Sequence, residues 1–91
     1  KNIGAVIHIH NKKMWKKYLH KLPTTPKYAT FGTPEIAYEI KKLYNTTNFK
    51  TKKIAILGGH VEGIIAFGKD LEEAYSIILK YFSNYIYTIC I

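Results

Sequence analysis

The chain has 91 residues, 47% of them hydrophobic, which allows one small domain spanning residues 1–91 with a modest core and excludes a disordered chain. Its formal net charge is +8 and all 14 basic residues are lysine; this draws anions but weighs against sequence-specific nucleic-acid readout, where arginine's planar fork is the usual reader. Cys90 is the only cysteine, so no internal disulfide or cysteine-based zinc cluster can form, and no apolar run nears the ~18 residues of a membrane span; a reducing, cytoplasmic setting away from membranes is expected.

Ile3–Ile9 is rich in β-branched residues and reads as a buried strand. Asn11 is a candidate cap for a helix carrying Met14, Trp15, Tyr18, Leu19 and Leu22 at helical spacing and ending before Pro23. Pro23–Pro26 reads as a rigid turn and Tyr28–Phe31 as a short strand. Thr33 as N-cap, Pro34 in the first turn and Glu35 at the positive helix end start a second helix, with a stripe of Ile36, Ala37, Ile40, Leu43 and Tyr44. Glu39 is expected to pair with Lys42 on the exposed face.

Residues 45–52 read as a polar loop, Lys53–Leu57 as a strand, Gly58-Gly59 as a turn and Val61–Phe67 as a strand interrupted by Gly63. Asp70-Leu71-Glu72-Glu73 resembles a capping box. It opens a last helix with a broad apolar face that includes Leu71, Ala74, Tyr75, Ile78 and Tyr81, and the tail 85–91 is open to reading as a strand. Alternating helices and strands predict an α/β layered domain.

Chemistry concentrates at His8, His10 and His60. Residues two apart in a strand share a face, so His8 and His10 point the same way, and Gly58-Gly59 is expected to let the loop bearing His60 pass close to a bound ion. Three imidazoles leave a coordination position open, which marks a catalytic metal rather than a structural one. The plain alternative for a strand histidine is a hydrogen-bonded core group. His20, near the first helix end, reads as a C-terminal cation. Glu62 reads as a solvated turn residue, with metal ligand or histidine-orienting partner as alternatives. The Trp15/Tyr18 pair reads as core.

Gly4-Ala5-Val6-Ile7-His8-Ile9-His10 resembles a strand motif of the class II aldolase/adducin superfamily, which includes fuculose-phosphate aldolase and ribulose-phosphate 4-epimerase. Residues 59–74, from Gly59-His60 through Gly68-Lys69-Asp70-Leu71-Glu72-Glu73-Ala74, resemble its second signature, and Gly32-Thr33-Pro34-Glu35-Ile36-Ala37 resembles a segment between the two. The resemblance covers nearly the whole chain, in order. It implies a three-layer α/β/α sandwich with a mixed, largely antiparallel sheet, and Zn2+ or another divalent metal on His8, His10 and His60. It also implies a phosphorylated or otherwise anionic sugar or hydroxy-ketone as substrate, Lewis-acid stabilisation of an enediolate, and a homo-oligomer, a tetramer in the family.

The family's acid/base glutamate and phosphate-holding loops lie upstream of the His-x-His motif, where this chain has only seven residues before His8. The segment between His10 and Thr33 is shorter than in the aldolases, and Val61 follows His60 in place of the common glycine. The chain therefore resembles the C-terminal part of a family member, incomplete at the N-terminus, with no catalytic base transferable to a residue present. A sheet edge left uncovered would favour a homo-oligomer or a complex with the missing segment. Two further readings stand beside the zinc-dependent aldolase or lyase: a non-catalytic, adducin-like assembly or binding domain, and a basic nucleic-acid-binding domain.

Overall fold

β-Branched residues crowd the first strand, and the computed structural model, which describes residues 3–30 and 32–90 and side chains as far as Tyr81, is extended there. The elements are β1 (Ala5–His10), α1 (Lys12–Tyr18), α2 (Pro34–Thr46), α3 (Phe49–Lys52), β2 (Ile54–Ile56), β3 (Gly63–Gly68) and α4 (Leu71–Cys90). The strands form an α/β domain's antiparallel sheet in the order β1-β3-β2, with Ala5 opposite Gly68, His10 opposite Gly63 and Ala55 opposite Ile65. Parallel pairing, expected of a mixed sheet, is confined among the described residues to two isolated bridges, Thr24 with Ile56 and Thr30 with Gly59.

Both sheet faces are packed. On one, Ile54, Ile56 and Ile64 meet Met14 of α1 and Ile78 of α4, and Ile7, Ile9, Trp15 and Tyr18 lie against that cluster. On the other, Ala55 and Phe67 meet Leu43 of α2 and Phe49 of α3, while Leu57 meets Ala29 and Ile36. Every buried side-chain polar atom among the described residues has a hydrogen-bond partner. Among those residues no helix is long and apolar enough to cross a membrane.

Several local expectations are corrected. α1 ends at Tyr18, because Leu19 leaves helical geometry and His20 takes a left-handed φ of 64°. His20 therefore lies past the helix end, where its backbone N–H donates to Thr24 Oγ1 (2.9 Å). The expected strand at Tyr28–Phe31 is a turn followed by the Thr30 bridge, and Phe31 lies outside the described residues. Thr33 stands at the N-cap position, but its hydroxyl donates back to the Thr30 carbonyl (2.6 Å) and does not cap α2. The expected loop at 45–52 holds the end of α2 and all of α3.

Glu39 faces inward, 5% exposed, and accepts a hydrogen bond from the Tyr28 hydroxyl. That bond, with burial, holds the Tyr28 hydroxyl above the usual tyrosine range. Leu71 and Tyr75, expected on the packed face of α4, are exposed, and the backbone at 85–90 stays helical. Val61 and Glu62 form a turn, so β3 begins only at Gly63.

Candidate metal centre

The site is built from a strand end and a turn. Alternation along β1 sends Ile7 and Ile9 to the α1/α4 side and leaves Val6, His8 and His10 on the α2 side. The turn carrying His60 is held by its own backbone: Leu57 N–H donates to Gly63 O (3.0 Å), His60 N–H to Leu57 O (3.1 Å) and Gly63 N–H to His60 O (2.8 Å). Asn11 N–H donates to Glu62 O (2.9 Å), tying the turn to the end of β1. Trp15 Nε1 donates to Leu57 O (3.0 Å), tying it to α1.

The glycines have different work from that expected. A Cβ on Gly58 would come 2.1 Å from Thr25 O, and one on Gly59 would come 2.5 Å from Ala29 O. Gly58 and Gly59 therefore admit the 25–29 backbone, not an ion. Gly63 makes the room at the site. It lies across the ladder from His10, and a Cβ there would stand 2.6 Å from Cδ2 of His60. Spacing marks Gly63 as an interruption of a strand; its place opposite a candidate ligand depends on strand register, which spacing does not reveal.

The three predicted residues converge. Ring centroids are 5.0 Å apart for His8 and His10, 5.3 Å for His8 and His60, and 4.7 Å for His10 and His60. Nε2 of His10 and Nε2 of His60 are 3.2 Å apart, a hydrogen bond in which one ring donates to the other. One ring nitrogen from each of the three lies within 4.8 Å of the others, close enough to hold a metal ion. Nitrogens bound to one tetrahedral zinc at 2.0–2.1 Å lie about 3.3 Å apart. His10 and His60 already stand at that separation, and the third ring need close by at most about 1.5 Å, within the reach of side-chain rotation.

Burial first, and then the neighbouring His10 and His60, lower the pKa of His8 below the usual histidine value. A depressed value favours the neutral ring, the form that binds metal. His60 is half-buried and His10 exposed, so the cluster opens to solvent on one side. Among the described residues no carboxylate or cysteine joins the three histidines as a ligand group. Glu62, at a left-handed φ of 72°, contributes its backbone carbonyl to the turn, and Trp15 and Tyr18 pack against the core as expected. No protein-family model, curated protein or solved structure matches the chain.

Proposed function

We propose that this chain is the metal-binding part of a class II aldolase/adducin-type protein. In this reading His8, His10 and His60 hold a divalent cation, zinc first among them, and the protein acts as an aldolase or lyase on a phosphorylated or otherwise anionic sugar or hydroxy-ketone. The observation that carries it is the convergence of three imidazoles from two separate places in the sequence. An all-nitrogen set of three suits a site that keeps a position for substrate, and helices on both sheet faces accord with the family's three-layer α/β/α arrangement.

A divalent ion held there supplies Lewis acidity, polarising substrate oxygens. The rest is the work of side chains. The depressed pKa of His8 keeps a lone pair available near neutral pH. The exposure of His10 leaves one side open to an approaching ligand, and the lysine excess draws an anionic one. No carboxylate joins the histidines as a ligand group among the described residues, and this reading assigns proton transfer to none of them. That same observation favours the second reading, a non-catalytic adducin-like domain that keeps the cluster for binding or assembly.

Titration of the protein with Co2+ tests the metal site. One equivalent should develop the visible bands of low-coordinate cobalt, and His60→Ala should abolish them. The same change should weaken zinc binding by more than the 10–100-fold typical of an outer partner. Unchanged zinc affinity in His60→Ala sinks the reading. Cleavage of sugar phosphates by the zinc-loaded protein, lost in His60→Ala, separates the aldolase from the adducin-like alternative.

A further inference from the structure

We propose that the groove between α2 and the sheet binds a medium-length fatty acid, its carboxylate among Lys50, Lys53 and Lys69 and its tail laid along Val6, Ile40 and Ile65. The groove consists of two adjoining cavities, each of about 250 Å³. Both have Ile3, Tyr44 and Phe67 in their walls, so one continues into the other. The first is apolar nearly throughout. Strand alternation puts Val6 of β1 and Ile65 and Phe67 of β3 on the α2 side, where Ala37, Ile40 and Tyr44 close the other wall and Lys41 is the charged exception. Ile3 and Val6 remain 40% and 54% exposed, which leaves apolar surface for a ligand to cover.

The second cavity changes the chemistry. It passes the end of β3, and Lys50, Lys53, Gly68 and Lys69 line it. Lys50 Nζ stands 5.3 Å from the centroid of the Tyr44 ring, a cation–π contact that keeps the ammonium at the junction of the two cavities. From Ile65 to Lys69 the groove follows the strand for about 13 Å, which suits an extended chain with its head at the lysine end. A mostly apolar pocket with a few convergent polar groups at one end is the usual form of a small-molecule site.

Charge decides the head group. The carboxylates at this end are already engaged. Glu73 accepts from Lys53 Nζ (2.8 Å) and from Lys69 N–H (2.7 Å), and Asp70 accepts from Glu73 N–H (2.8 Å). Glu72 stands on the other face of the sheet, with Ile7, Leu71 and Tyr75. Three lysines set against Glu73 and Asp70 leave one positive charge, which a single carboxylate balances. An inorganic anion would leave the apolar walls wet, and a neutral chain would leave that charge unanswered.

The test is an NMR titration of the whole chain with decanoate, held below its micelle threshold. Decanoate should shift the methyls of Val6, Ile40 and Ile65 and the amide of Lys69, saturating as a single site. Decylamine, with the same tail and the opposite charge, should leave those signals in place. So should acetate, which has the head and no tail. Lys50→Glu combined with Lys69→Glu should weaken decanoate by about tenfold with the circular dichroism unchanged. Val6→Glu, which sets a charge beside the tail, should weaken it by a similar factor. The metal site takes no part: His60→Ala, which should abolish cobalt binding, should leave decanoate binding as it was. Decylamine or acetate binding as tightly as decanoate, or shifts that do not saturate, overturns the proposal. Methyl shifts that grow with protein concentration alone, as a second copy covering the groove would give, overturn it too.

Discussion

Gly63 lies across the ladder from His10, and the space its side chain would take holds the His60 ring. Gly63→Ala should therefore act on the metal site before it acts on the fold. The added methyl meets Cδ2 of His60 at 2.6 Å and His60 O at 2.9 Å; relief requires the ring to swing away and the His60–Gly63 turn to shift with it, at a strain of about 1–3 kcal/mol. Isothermal titration with zinc should show a larger loss than His20→Ala, which touches no part of the cluster. Zinc affinity equal to that of the unaltered protein would show that the ring has another place to lie. The His8/His10 half of this site was legible from a two-residue period and a β-branched run. His60 was legible as the third member from its place after a glycine turn and from the resemblance, but the way it is held was not, because that depends on the turn bonds between Leu57 and Gly63 and not on Gly58 and Gly59. Glu39 misled for a related reason: its spacing to Lys42 suits a surface pair, but the rotation of α2 is set by Ile36 and Leu43, which carry Glu39 inward with them.

Among the elements, the caps were the most readable. Asn11 Oδ1 accepts from Met14 N–H (2.9 Å) and Asp70 Oδ1 from Glu73 N–H (2.8 Å), as their positions suggested. The Glu73 carboxylate departs from a standard capping box by accepting from Lys69 N–H (2.7 Å) and from Lys53 Nζ (2.8 Å). The Lys53 bond first, then the Lys69 bond, lower its pKa below the usual glutamate value of 4.5. A carboxylate with a depressed folded-state value lends stability that is complete above its unfolded value and is lost as pH falls through the folded one. In urea unfolding, the stability gap between the protein and Glu73→Gln should hold near neutrality and close as pH falls below about 4.5. A gap that persists at about pH 2 would assign the effect to packing rather than to the ion pair. The polar stretch at 45–52 was opaque by comparison. Nothing in its composition announces α3, which forms because Phe49 buries against Phe67 with ring centroids 5.2 Å apart, a contact supplied by the sheet.

At the scale of the molecule, a three-stranded sheet carries helices on both faces, with the histidine cluster at one end of β1 and the lysine-lined cavity at the other. The α/β class was readable from the alternation of patterns. The strand order was not, since placing β3 between β1 and β2 is a long-range pairing with no local signal. Metal should tighten this assembly by mass action: at a free zinc concentration of about one hundred times Kd, the stabilisation is about 2.7 kcal/mol. The bond from Trp15 to the Leu57 carbonyl gives that tightening a colour. Trp15 is the only tryptophan, and its indole grips the root of the turn that carries His60. Any ion that draws His60 toward His8 and His10 pulls on the partner of the one strong fluorophore in the chain. Emission from Trp15 should shift or change in intensity with zinc and saturate at one equivalent, and the response should vanish in His60→Ala. The protein thus carries its own optical gauge of the site, readable without a label; emission indifferent to zinc, under conditions where titration calorimetry registers binding, would show that the turn and the indole move independently.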